Sequence, residues 1–283
     1  MDQFIIAYLP KPSQPEPVVS HAVALAKMLH KGLILLSIHD THYAESPDQS
    51  TATMQLQSLT DQIKQPSNPL YYADTSYCSM HGDTHDVLTQ IPKLLAAVAI
   101  VVQVDCDAPH KTPTHPRHLL HLLRDIQIAY LTVQQPHPNT TAFYIPALTI
   151  DYRRESKEKL IWASYFARFG GSDIKILRQD YKDEGLRDAC YENMRFVEKI
   201  FGDLNIHYHT QTYSGGKLFT EPAAVSYAAQ HNISLFISLT TDTRDRDMLE
   251  WIIGTPEQRV IRNPEKLPIL FLNQRDDLYV LCD

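Results

Sequence analysis

The chain has 283 residues, 43% hydrophobic and 21% charged, enough for two domains of ordinary size that each bury a core. Its net charge of −7 leaves no basic surplus to neutralise phosphates, which argues against non-specific binding to nucleic acid or to an anionic membrane. The four cysteines form no CxxC pair and predict no disulfide framework. No signal peptide and no membrane-length apolar run is visible, so we expect a cytoplasmic protein.

The first half alternates strands with amphipathic helices. Val18, Ala22 and Leu29 have helical spacing, and Gly32 is expected to end that helix. In chain order, the predicted strands are Phe4–Leu9, Leu33–Ile38, Leu70–Tyr77, Ala99–Val104 and Ile128–Val133, and the predicted helices are Pro17–His30, Thr51–Lys64, His85–Ala97 and Arg117–Asp125.

The second half repeats this order after a polar, proline-containing linker, Gln134–Thr141. We therefore predict two domains, 1–135 and 142–283, related by an old duplication. The predicted strands are Ala142–Leu148, Asp173–Leu177, Ile206–Tyr213, Leu235–Leu239 and Leu267–Leu272, and the predicted helices are Glu155–Phe169, Gly185–Phe201, Pro222–His231 and one that begins at Gly254.

Strands that alternate with helices in this way predict a fold of the α/β class. Each domain should form an open, mostly parallel five-stranded sheet with helices on both faces, in a Rossmann-like arrangement. The last strands of the two halves, Ile128–Val133 and Leu267–Leu272, are apolar and would otherwise leave exposed edges. We therefore expect the two domains to pair through these strands within one chain.

Several stretches resemble the universal stress protein (UspA-like) domain, and the whole chain resembles a tandem version of it. His21–Ala26 is similar to the first helix of that domain. In the second half the resemblance rests on Ile145–Asp151, Gly170–Leu177, and Ile253–Arg262 followed by Leu267–Leu272. It implies an adenine nucleotide alpha hydrolase-like fold, a stress-response or regulatory role without catalysis, and homo-oligomers like the dimers of that family.

Nucleotide-binding members of the family carry a loop of the form G-x2-G-x9-G-(S/T), whose backbone approaches the phosphates. Only its final pair remains here, as Gly254-Thr255, and the preceding segment Thr240–Asp247 contains three aspartates. The first-half loop, Asp105–Pro116, has no glycine. The resemblance therefore implies lost or weak nucleotide binding and no required cofactor. The alternative is a protein that binds adenine nucleotide (ATP or AMP) through its second domain only.

Asp151, Gly254 and Thr255 are the candidate ligand-binding residues. Gly254-Thr255 starts a helix whose first amides could hold an anion, aided by Arg244, Arg246 or Arg259, or it could be a structural turn. Asp151 is the family aspartate, replaced by Pro10–Pro12 in the first half. It could contact a ligand where its strand ends, or cap the next helix.

The first half also concentrates histidines. The residues that could serve as metal ligands are Cys106, His110, His115, His118 and His121. Together with Asp105 or Asp107 they could form a zinc or copper site, but their spacing fits no established zinc signature, so no metal is predicted. A small-ligand or metal sensor remains a third class of function.

Nothing in the sequence predicts a catalytic residue. No G-x-S-x-G nucleophile pattern occurs, and Cys190, in the middle of a predicted helix, is expected to belong to the core. Gly215-Gly216-Lys217 lacks the spacing of a phosphate loop and is expected to connect a strand to a helix.

Overall fold

The structure, a computed structural model, describes residues 3–43, 48–137, 143–213, 220–240 and 255–273. The chain divides into two compact units, Met1–Ala142 and Phe143–Asp283. None of the described helices is both long enough and apolar enough to cross a membrane.

The first unit contains five strands in the order β3-β2-β1-β4-β5, and every described pairing is parallel. β1 and β2 are apolar and buried along nearly their whole length, as expected for a sheet covered on both faces. The strands are β1 Phe4–Tyr8, β2 Gly32–His39, β3 Thr75–His81, β4 Ala97–Gln103 and β5 Ala129–Val133, and the helices are α1 Glu16–Leu29, α2 Gln49–Ile63, α3 Thr84–Leu94 and α4 Pro116–Leu123.

Local sequence explains how these helices begin and end. The Asp48 carboxylate accepts a hydrogen bond from the backbone N–H of Thr51 and so caps α2. The Asp83 carboxylate caps α3 in the same way, by accepting a hydrogen bond from the backbone N–H of Asp86. The expectation that Gly32 ends α1 is wrong, because α1 ends at Leu29 and His30 adopts the left-handed conformation. Gly32 instead begins β2, where a Cβ would lie 2.6 Å from the Phe4 ring.

The second unit has the equivalent strand order, β10-β9-β6-β7-β8, again with parallel pairings. A short 3-10 helix, Arg154–Glu158, precedes α5, so the single helix predicted from Glu155 is wrong in its first turn. The strands are β6 Pro146–Ile150, β7 Ile174–Gln179, β8 Tyr208–Tyr213, β9 Leu235–Thr240 and β10 Ile269–Asn273, and the helices are α5 Lys159–Gly170, α6 Glu184–Asp203, α7 Thr220–Ala229 and α8 Pro256–Ile261.

The predicted α/β class with mostly parallel strands is confirmed. In each unit the first strand lies between the second and the fourth, so the chain reverses its direction of progress across the sheet beside β1 and beside β6. Open α/β sheets bind ligands outside the carboxyl ends of the strands at such a reversal. The fold therefore directs attention to the end of β1 and β4 in the first unit and of β6 and β9 in the second.

Candidate functional site

Asp151 lies directly after β6, at the strand reversal of the second unit. Its side chain is buried, and both carboxylate oxygens accept hydrogen bonds from Arg153. Oδ1 accepts the backbone N–H at 2.8 Å, while Oδ2 accepts Nε at 2.9 Å and Nη2 at 2.6 Å. The carboxylate thus neutralises a neighbouring guanidinium and does not cap the following 3-10 helix, whose N-terminus receives no side-chain hydrogen bond.

The turn that holds this ion pair is fixed by α6. Asn193 Nδ2 donates to the carbonyl oxygens of Asp151 at 2.8 Å and of Arg153 at 2.9 Å. Burial lowers the pKa of the Arg153 guanidinium, but the charge and hydrogen bonds of Asp151, with the charge of Glu221, outweigh it and raise that pKa. Arg153 stays charged and paired, so a ligand could reach the Asp151 carboxylate only by breaking the ion pair.

A second, buried ion pair joins the starts of α5 and α7 in the same unit. Lys159 has no exposed surface, and its Nζ donates to Glu221 Oε1 at 2.9 Å and to Thr149 Oγ1 at 2.7 Å. The other oxygen of Glu221 accepts a hydrogen bond from the Ser238 hydroxyl. Since Thr149 lies on β6 and Ser238 on β9, the chain's own polar groups occupy the space beside these two strands.

Thr255 caps a helix in the structure. It is buried, and its hydroxyl oxygen accepts the backbone N–H of Gln258 at 3.4 Å, at the start of α8, where Pro256 fits the first turn. Gly254 lies outside the described residues, as do the aspartate-rich segment 241–250 and Gly215-Gly216-Lys217. Of the three candidate binding residues, the structure therefore describes Asp151 and Thr255, each with a partner inside the protein.

The equivalent position of the first unit holds a pocket of about 300 Å³. It is lined by residues that follow β1, among them Pro10 and Lys11, by His42 and Tyr43 after β2, and by the segment 109–114 after β4. The sequence did not predict this pocket, because the loop after β4 has no glycine and Pro10–Pro12 stand after β1 in place of the family aspartate. Four prolines in and around its wall (Pro10, Pro12, Pro109, Pro113) are the only sequence signal of a fixed loop conformation.

The pocket combines apolar walls with polar and positively charged groups. Tyr43 Oη and His118 Nε2 form a hydrogen bond of 2.5 Å. Burial raises the pKa of Tyr43 to about 12, helped by the charges of Asp40 and Asp83, and burial lowers the pKa of His118. Both rings are therefore neutral near pH 7. Two lysines, Lys11 and Lys111, also line the pocket, which suits a small ligand with an apolar body and negative charge.

The histidine-rich region does not form one cluster in the described part of the chain. His118 contacts Tyr43, His121 stacks on His85 with ring centroids 6.1 Å apart, and His110 packs against His115. Cys106 Sγ instead faces Gln134 Oε1 at 3.8 Å. Among the described residues, the groups with ligand atoms close enough to share a metal ion are Asp40–His42–Asp83 and Asp83–His85–Asp86.

Cys190 belongs to the core, as the sequence indicated. Its thiol is buried and donates to the Ile150 carbonyl at 3.5 Å. Burial raises its pKa to about 11, which disfavours the reactive thiolate.

Comparison with known proteins gives a result at the level of structure. No model of a protein family matches the chain, and no curated protein matches it. A universal stress protein from Archaeoglobus fulgidus DSM 4304 has a TM-score of 0.68 at 13% identity, covering 97% of each chain. A protein described as a universal stress protein from Pseudomonas aeruginosa UCBPP-PA14 has 0.64 at 16% identity, covering 98% of this chain and 95% of that one.

The same fold also occurs in a different setting. The cytoplasmic domain of a prokaryotic cation chloride cotransporter has a TM-score of 0.57 at 10% identity, covering 99% of both chains. A fold shared by such different proteins does not by itself determine function. The resemblance expected from the sequence is nevertheless confirmed for the architecture: over nearly its whole length, this chain has the fold of the universal stress proteins.

Proposed function

We propose that this is a non-catalytic, cytoplasmic stress-response or regulatory protein of the universal stress protein type, whose second unit binds nucleotide weakly or not at all. The observation that supports this proposal is the Asp151–Arg153 ion pair at the strand reversal of the second unit. A ligand that used Asp151 would have to break the hydrogen bonds between this buried carboxylate and the half-buried Arg153 guanidinium, and separating such a pair costs free energy.

The sequence of the phosphate loop supports the same proposal. A triphosphate requires backbone N–H donors close to its oxygens, and two of the three loop glycines are absent. Asp242, Asp245 and Asp247 stand in this segment, where their negative charges would repel a phosphate.

Nucleotide retained during purification provides a first test. The protein is purified without added nucleotide, denatured and removed by centrifugation. The supernatant is then separated by chromatography, and any released nucleotide is detected by the ultraviolet absorbance of adenine. We expect no stoichiometric nucleotide, and no rise in unfolding temperature when ATP or AMP is added. A co-purified adenine nucleotide near one per chain would support the alternative, an adenine-nucleotide-binding protein that uses the second unit.

A second candidate function is binding of a small anionic ligand by the first unit. The observation that favours it is the pocket of about 300 Å³ at the ends of β1 and β2, with Lys11 and Lys111 on its wall. At the equivalent position of the second unit, the Asp151–Arg153 ion pair is present instead. The two units would therefore differ in their ability to bind a small anion. A thermal-shift screen of small carboxylates and phosphates would detect such a ligand, because binding to the folded state raises the unfolding temperature.

We also propose that the two units associate through their last strands. The supporting observation is the apolar sequence of β5 and β10, which would leave two aggregation-prone edges in separate units. Small-angle scattering of the wild-type protein should fit one compact particle per chain, and charged substitutions at Tyr130 or Leu270 should lower stability and loosen the association. A curve that fits two independently moving beads in the wild type would rule this association out.

A further inference from the structure

Three side chains with metal-ligating atoms meet where β2 ends in the first unit. Asp40 directly follows β2, His42 lies two residues further, and Asp83 is the N-cap of α3. His42 Nδ1 is 2.9 Å from Asp40 Oδ1 and 3.8 Å from Asp83 Oδ2. One ligand atom from each of the three residues lies within 4.8 Å of the other two.

Both carboxylates are held in place by backbone donors. Asp40 is only 2% exposed; its Oδ1 accepts the His42 N–H at 2.9 Å, and its Oδ2 accepts the Thr84 N–H at 2.7 Å. Asp83 Oδ1 accepts the Asp86 N–H at 3.1 Å, which leaves Oδ2 as the oxygen that faces His42. The ligand atoms are therefore oriented before any ion arrives, which reduces the entropy lost on binding.

Thr84, the residue that follows Asp83, links the two carboxylates of this group. It is 1% exposed, and its backbone N–H is the donor to Asp40 Oδ2. The start of α3 therefore fixes the Asp40 and Asp83 carboxylates relative to each other.

We propose that Asp40, His42 and Asp83 bind a divalent transition-metal ion, with Zn²⁺ as the best match. Metal–ligand bonds of 2.0–2.2 Å in a tetrahedral zinc site place ligand atoms about 3.3 Å apart. The observed separations of 2.9 and 3.8 Å lie on either side of that value, so small side-chain movements would complete the site. One imidazole and two carboxylates favour Zn²⁺ over Mg²⁺, and three protein ligands leave a position for water or a ligand.

The site is separate from the nucleotide position of the second unit, so it does not depend on the proposed function. It adjoins the first-unit pocket, because His42 both belongs to the ligand set and lines the pocket. A bound ion would fix the His42 imidazole, whose side chain is otherwise 75% exposed, and would add positive charge beside Lys11 and Lys111.

Titration calorimetry of the full chain with ZnCl₂ tests the site, with variants that remove one ligand at a time. His42→Ala alters a largely exposed side chain, and Asp83→Asn keeps the α3 cap, because Asn caps helices as well as Asp. The control is His85→Ala, which removes the histidine of the neighbouring group Asp83–His85–Asp86, where His85 Nε2 is already bonded to Asp125 at 2.9 Å.

We expect the wild type to bind Zn²⁺ at this site and to give no saturable heat with Mg²⁺. His42→Ala and Asp83→Asn should each weaken zinc binding about tenfold or more, since even changes to residues outside the ligand set cost that much, while His85→Ala should bind as the wild type does. Absence of zinc binding by the wild type, unchanged binding by His42→Ala, or an equal loss in His85→Ala would each overturn the proposal. If Asp83→Asn fails to fold, the His42 and His85 variants decide the result.

Discussion

Replacing Lys159 with Met should lower the free energy of unfolding of the second unit by about 3–5 kcal/mol. The substitution keeps most of the side-chain volume but leaves the carboxylate of Glu221, which is 8% exposed, without its counter-charge. The Thr149 hydroxyl also loses a partner. Denaturant unfolding followed by tryptophan fluorescence measures this loss, because both tryptophans of the sequence, Trp162 and Trp251, belong to the second unit.

Lys199→Met is the matched control. Lys199 lies on an exposed part of α6 in the same unit, and surface substitutions away from special contacts usually change stability by about 0.5 kcal/mol or less. A loss below about 1 kcal/mol in Lys159→Met would contradict the view that the buried ion pair holds α5 and α7 in place.

The first unit should lose about 3 kcal/mol of stability between pH 6.5 and pH 4 because of one buried histidine. His21 lies in α1, is 2% exposed and donates through Nδ1 to the Pro17 carbonyl at 2.8 Å. Burial lowers its pKa from 6.5 to about 4, with a further lowering by His137, although the Pro17 carbonyl acts in the opposite direction. The unfolded chain therefore takes up a proton over this range that the folded chain does not, and stability is lost as the pH falls.

His21→Leu should remove most of this acid-induced loss. His30→Asn is the control, because His30 is exposed and Asn tolerates its left-handed conformation. Circular dichroism follows the unfolding of both units, whereas tryptophan fluorescence follows only the second unit. The unfolding transition of the first unit is therefore the one that circular dichroism detects and fluorescence does not. If His21→Leu and the wild type lose stability equally between pH 6.5 and pH 4, His21 is not the cause.

Most elements of the fold could be predicted because their signals are local. The apolar runs of β1, β2, β4 and β9 and the helical periodicity of α1 appear directly in the sequence. The strand predicted over Leu70–Tyr77 is wrong in its first part, because β3 begins at Thr75 and ends at His81. Most of β3 is at least partly exposed, so its hydrophobic pattern is weak. β6 begins four residues later than predicted, since Phe143 has a positive φ of 65° and belongs to the preceding turn.

The candidate site was less predictable because its contacts join distant parts of the chain. The family resemblance points to Asp151, but no family motif includes its partner Arg153, which reaches the carboxylate through a local turn of two residues. Lys159 and Glu221 are separated by 62 positions, and nothing local distinguishes them from surface residues. Asp40, His42 and Asp83 likewise come together only because β2 ends beside the start of α3.

The most direct test of the account is calorimetric titration of the wild-type chain with ATP. We expect no saturation at millimolar ATP, because Arg153 occupies the Asp151 carboxylate and two of the three glycines of the phosphate loop are missing. A dissociation constant of about 1 mM corresponds to only about 4 kcal/mol of binding free energy, against about 8 kcal/mol at 1 μM. A saturable, micromolar dissociation constant for ATP would contradict the proposal that this protein binds nucleotide weakly or not at all.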